Sequence, residues 1–284
     1  MTEHHTVGVV GAGVMGRGVA EVAAAAGHRV ILVDVDDAIL GAARSAIRRS
    51  LWGRALTGGG PRPDLNAVLG RIETTMDLDR LSAASFVIEN ATERVAVKEP
   101  IYRRLDGVCP PDTVLAANTS AIPVAHIAGW TGRPDRVLGM HFMNPVPLKQ
   151  TIEVVRGEAT GEETLARAEH LLESMGMRGI VVGDRAGFVS NRVLMLTVNE
   201  AAGVVEAGVA PADDVDRVFV ECFGHRMGPL ATADLIGLDT IVLSLEVLRD
   251  FTGEERFEPV GLLRELVGRG DVGRKSGAGF FPYR

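Results

Sequence analysis

The chain has 284 residues, 46% hydrophobic and 24% charged, enough for two domains with full cores. Its net charge of -7 excludes the basic surface that nucleic acid or an anionic membrane would need. Two cysteines, Cys109 and Cys222, stand far apart without metal-ligand spacing, which excludes a disulfide framework and a zinc site and suits a reducing compartment.

A short polar leader, Met1 to Thr6, runs straight into an apolar strand, with no secretory signal pattern. No apolar run reaches the roughly 20 residues of a membrane span, so a cytoplasmic protein is expected. After the strand Thr6 to Val10 come Gly11-Ala12-Gly13-Val14-Met15-Gly16 and an Ala-rich helix to about Ala26. A second strand, Arg29 to Val33, closes on Asp34. This is a βαβ unit with GxGxxG at its first turn: the glycines let a pyrophosphate approach the backbone, and the acid falls where ribose hydroxyls would lie. Asp34 and Asp36 would repel a 2′-phosphate, so the cofactor expected is NAD.

Residues Asp37 to Ile72 read as helical, broken at Gly58 to Pro63, which predicts a helical hairpin with Arg44, Arg48, Arg49, Arg54 and Arg62 on a basic side. Ser85 to Glu89 and Thr113 to Ala117 are strands, with a helix from Arg94 to Leu105 between them. The second strand ends at Asn118-Thr119-Ser120, polar groups at the sheet edge where ligands bind. Ser120 can also cap the following helix.

The stretch from Leu138 to Gly157 reads as an active-site wall. His141 follows a strand and precedes Asn144-Pro145-Val146-Pro147, a turn that two proline rings stiffen. Glu153 sits inside the β-branched run Thr151 to Val155, which resembles a strand buried on both faces. A carboxylate there needs a partner, and His141 across the turn is the nearest. Such a pair is a general base with its orienter. The strands Val137 to Phe142 and Gln150 to Val155 complete the predicted sheet.

Beyond Gly183 the pattern is helical: Phe188 to Ala207 with Asn191 in its first turn, then Pro211 to Phe223, Leu230 to Arg249 and Pro259 to Gly268. The fold expected is an α/β Rossmann-type domain over 1–183, with the hairpin at about 37–72, followed by an all-α domain over 184–284. The apolar surface of that second domain reads as a homodimer interface.

These motifs together give the chain a family. From GAGVMGRG through ENATE, NTSAIP, HFMNPVP and GFVSNR to DLIGLD and GRKSGAGFF, it resembles the NAD-dependent L-3-hydroxyacyl-CoA dehydrogenases, including bacterial 3-hydroxybutyryl-CoA dehydrogenases. The resemblance implies that His141 is the catalytic base and Glu153 its partner, with Ser120 and Asn191 hydrogen-bonding around the reacting oxygen and thioester. It places Glu93, Lys98, Asn118, Ser120, Asn144 and Lys275 about the cofactor, beside Gly11, Gly13, Val14, Met15, Gly16 and Asp34. The reaction implied is reversible oxidation of a 3-hydroxyacyl thioester to the 3-ketoacyl thioester.

The hairpin departs from the family. There, a Ser followed seven residues later by a Lys holds the adenosine phosphates of CoA; here Ser50 stands in the first place and Thr57 in the second. Arg54 or Arg62 is the candidate substitute. The departure keeps a second substrate open, a hydroxyacyl (glyceryl-like) group on an acyl-carrier protein in polyketide extender-unit biosynthesis. A non-catalytic NAD-binding structural protein is the reading from another class.

Overall fold

The computed structural model describes residues 5–57 and 64–283, residues 55–57 by their backbone alone. The glycine-proline break of the expected hairpin, Arg62 included, and the polar leader before residue 5 lie outside the described residues. The chain divides into two compact units, one of residues 1–119 and 123–185, the other of residues 120–122 and 186–284.

In the first unit, alternation of strand and helix builds one eight-stranded sheet. The elements are β1 (Thr6–Val10), α1 (Val14–Ala25), β2 (Arg29–Val33), α2 (Asp37–Thr57), α3 (Leu65–Gly70), β3 (Ile72–Thr75), β4 (Phe86–Glu89), α4 (Val95–Val108), β5 (Val114–Ala117) and α5 (Val124–Ala128). There follow β6 (Val137–His141), β7 (Thr151–Arg156), α6 (Glu162–Ser174) and β8 (Arg178–Gly183). The strand order is β3-β2-β1-β4-β5-β6-β7-β8. Every pairing is parallel except β6 with β7, whose connection is the short proline turn. Strands β1, β4 and β5 are short apolar runs, as strands buried on both faces must be; β1 is exposed only in part, at Thr6.

Three expectations need correction. The hairpin does not extend to Ile72, because that residue begins β3 and pairs with Val30. The sheet does not end at Val155: β8 adds a parallel edge strand to β7 through the crossover helix α6. The helix expected from Leu230 to Arg249 is two helices.

The second unit is helical, with α7 (Ser190–Glu206), α8 (Ala212–Arg217), α9 (Pro229–Ile236), α10 (Leu238–Thr252) and α11 (Gly261–Arg269). Gly237 separates α9 from α10 with φ of +109°, a backbone that no helix contains. Leu230, Ile241, Leu245, Leu248 and Phe257 form the fully buried centre of its core. Asp216 caps α9 through the amides of Leu230 and Ala231. Among the described residues no helix is long and apolar enough to cross a membrane.

Candidate active site

The loop after β1 is shaped by two glycines that admit no side chain. Gly11 has φ of +89°, and a Cβ there would meet the Asn90 backbone at 2.9 Å. A Cβ on Gly16 would lie 1.7 Å from the Gly11 carbonyl oxygen, so α1 starts pressed against the loop. Gly13 differs: a Cβ there would find nothing within 4 Å, and the space it leaves is the cradle that a phosphate needs above a helix start. Val14 is 53% exposed at the first position of α1, while Met15 packs against the core. Asp34, just past β2, accepts from the Ala12 N–H at 2.6 Å and the Val35 N–H at 2.7 Å, which fixes its carboxylate beside the loop. The residues present therefore fit a dinucleotide: a glycine turn, an open cradle and a fixed acid at the carboxyl edge of parallel strands.

The same edge carries the ends of β4, β5 and β6. Asn118 ties them together: its Nδ2 donates to Asn90 Oδ1 at 2.7 Å, and its Oδ1 accepts from the Phe142 N–H at 3.0 Å. Glu93 accepts from the hydroxyl of Thr119. Lys98, expected near a ribose, lies under the loop after β4. It is fully buried on α4, and its ammonium donates to both oxygens of Glu89, at 3.0 and 2.7 Å, and to the Ala91 carbonyl at 3.2 Å. All three N–H groups are thus spent inside the protein. These bonds hold the loop after β4. Burial pushes the Glu89 carboxyl up, and Lys98 pulls it back.

His141 and Glu153 are brought together by register. They face each other on antiparallel β6 and β7, and His141 Nδ1 lies 2.9 Å from Glu153 Oε2, so that the ring N–H donates to the carboxylate. Exposures of 6% and 7% make this a desolvated pair, in which a charge-assisted bond is strong. A base at a strand's end, oriented by a buried acid, can exchange a proton with a bound hydroxyl. The turn beyond it, with Asn144, lines a small groove against α1 and α2.

The two hairpin residues assigned to substrate share one partner. Ser50 Oγ donates to Glu21 Oε1 at 3.0 Å, and Arg54 Nη2 donates to the same atom at 2.6 Å. Glu21 was not among the residues singled out from the sequence. The available signal was an acid set in the Ala/Val run of α1, a position that burial makes costly without partners.

In the second unit, Asn191 sits in the first turn of α7, and its buried Nδ2 has no hydrogen-bond acceptor among the described residues. Ser120 is partly buried in the short segment that clusters with this unit. Lys275, expected near the cofactor, donates to both carboxylate oxygens of Asp239 at 2.6 and 2.7 Å. Among the described residues no group of His, Cys, Asp and Glu side chains could hold a metal ion.

Comparison with known proteins gives the family. The family model described as 3-hydroxyacyl-CoA dehydrogenase, NAD binding domain, matches residues 6–185, and the model of the C-terminal domain of the same family matches residues 187–283. A probable 3-hydroxybutyryl-CoA dehydrogenase of Bacillus subtilis is 44% identical over 275 residues, 97% of this chain and 96% of the relative. The 3-hydroxybutyryl-CoA dehydrogenase of Mycobacterium tuberculosis is 42% identical over 279 residues, 98% of each chain. The crystal structure of (S)-3-hydroxybutyryl-CoA dehydrogenase from Ralstonia eutropha superposes with a TM-score of 0.92 at 38% identity, covering 99% of this chain and 100% of that one. Alike in sequence and in backbone over nearly its whole length, the chain belongs to the 3-hydroxyacyl-CoA dehydrogenase family of NAD-dependent oxidoreductases.

Proposed function

We propose that the chain oxidises a 3-hydroxyacyl-CoA, with 3-hydroxybutyryl-CoA its leading substrate, reversibly to the 3-ketoacyl-CoA. The observation that carries this reading is the His141–Glu153 pair, on the same sheet edge as the glycine cradle. His141 takes the proton of the 3-hydroxyl at Nε2, because Nδ1 is committed to Glu153. Glu153 stabilises the imidazolium that results; in reverse, the same ring is the acid. The glycine loop Gly11 to Gly16 would hold NAD, which would supply the acceptor for the hydride leaving C3. Ser120 and Asn191 are assigned to the reacting oxygen and the thioester by family resemblance, and the unsatisfied amide donor of Asn191 is chemically suited to an oxygen.

The relatives named above act on CoA thioesters, and this ranks CoA ahead of a carrier protein. We read the second unit as the face on which two copies associate, from its exposed Val189, Val193 and Phe223. Two free thiols, Cys109 and Cys222, suit the reducing cytoplasm.

The test follows NAD reduction by absorbance with (S)-3-hydroxybutyryl-CoA. Saturable turnover is expected, and His141→Gln should lower kcat by about 10²- to 10⁴-fold while NADH binding is retained. Full turnover in that variant would overturn the assignment of the base.

A further inference from the structure

The groove formed by α1, α2 and the proline turn, about 150 Å³ in volume, is lined by Arg17, Glu21, Ser50 and Asn144 to Pro147. Its walls are in firm contact, since a Cβ on Gly18 would meet the Val146 side chain at 2.9 Å. Glu21 is 2% exposed, and burial pushes its carboxyl up while Arg54 and Ser50 pull it back. Because its Oε1 takes both the Ser50 hydroxyl and the Arg54 guanidinium, these two hairpin groups are engaged within the protein. An incoming phosphate at Arg54 would have to compete with a carboxylate already 2.6 Å away and would meet that negative charge.

Arg17 stands four residues before Glu21 on α1, on the same helix face. That spacing favours an ion pair, yet the carboxylate turns to α2 instead. Among the described residues no acid or carbonyl accepts from Arg17, although its side chain reaches the groove. A guanidinium whose charge no described residue answers, at the rim of a groove, is suited to a phosphate, which it can meet with two parallel N–H donors.

We infer that Arg17, and not Arg54, holds the phosphates of the CoA thioester, with Glu21 keeping Ser50 and Arg54 as groove wall. The inference rests on the proposed function for the identity of the substrate. It puts an anion handle of this chain on α1, and with it the power to tell CoA from a thioester that lacks the adenosine phosphates.

The test compares the 3-hydroxybutyryl thioesters of CoA and of pantetheine in the wild type, Arg17→Gln and Arg17→Lys, beside calorimetric titration of free CoA and fluorescence titration of NADH. Arg17→Gln should raise KM for the CoA thioester about tenfold and weaken free CoA similarly, a loss that Arg17→Lys restores in part. The rise should be confined to the CoA thioester. An unchanged ratio of the two KM values would overturn the inference, and so would weaker NADH binding, which would give Arg17 to the dinucleotide's own phosphates. A wild type that oxidises neither thioester would overturn the proposed function alone, because the CoA titration still reads Arg17.

Discussion

Lys98 shows how one buried charge organises the edge of the sheet. Its ammonium and the Glu89 carboxylate are both fully buried, each the other's main compensation. Lys98→Met would leave the carboxylate enclosed without its cation, at a cost of about 3–5 kcal/mol near neutral pH. Burial already raises the Glu89 carboxyl above its ordinary 4.5, and without Lys98 the folded-state value climbs further. Between the unfolded value and that raised one, the folded variant holds a proton that the unfolded chain has released. Its stability should therefore fall as pH rises through that window, by about 1.4 kcal/mol per unit at most, and recover on acidification. Urea unfolding of the variant from pH 5 to 8 checks this; a slope no steeper than that of the wild type would place the pair outside the stability balance. At this scale the sequence revealed His141 and Glu153, because a short rigid turn joins their strands. It could not reveal where Lys98 and Arg54 go, because both lie on helices whose partners depend on which faces pack together.

The glycine loop is the element on which cofactor binding depends, and its three glycines are not equivalent. Gly16→Ala places a methyl 1.7 Å from the Gly11 carbonyl oxygen, a backbone atom that cannot rotate aside, so the loop or α1 must shift. The expected cost is about 1–3 kcal/mol of stability, as for overpacking elsewhere, with NADH binding weakened by at least about tenfold. Gly13→Ala meets nothing within 4 Å and should leave stability nearly unchanged while the new methyl intrudes on the cradle. Thermal unfolding and NADH fluorescence titration of the two variants separate these effects. Equal stability losses would mean that Gly13 is packed rather than open. The element pattern was readable here because strand, turn, helix and strand follow one another within the first 34 residues. It was not readable at β8, an edge strand most of whose residues are exposed, joined to its neighbour only after α6 has crossed the sheet. Nor was it readable at Gly237, since a lone glycine within apolar helical spacing gives no sign of a positive φ.

For the whole molecule the open question of assembly turns on the second unit. Its exposed apolar side chains include Val189 at 56%, Val193 at 61% and Phe223 at 66%. Val189 and Val193 also line a cavity of about 390 Å³ with Phe219 and Met227, and a neighbouring one of about 470 Å³ runs between α7 and α8. The buried stripe of α7 lies elsewhere, at Met195, Val198, Ala201 and Ala202, so the helix is apolar on a face that its own unit leaves open. Two copies each carrying -7 repel, so in the proposed dimer the attraction comes from this apolar surface, and added salt should tighten rather than loosen it. Val193→Glu puts a charge into the patch with no partner to neutralise it, at several kcal/mol per interface, and should raise the dissociation constant by at least about a hundredfold. Sedimentation equilibrium of the wild type and the variant, at low and at moderate salt, decides the matter. A wild type that is monomeric at tens of micromolar overturns the dimer. A variant that associates as tightly as the wild type moves the interface away from α7.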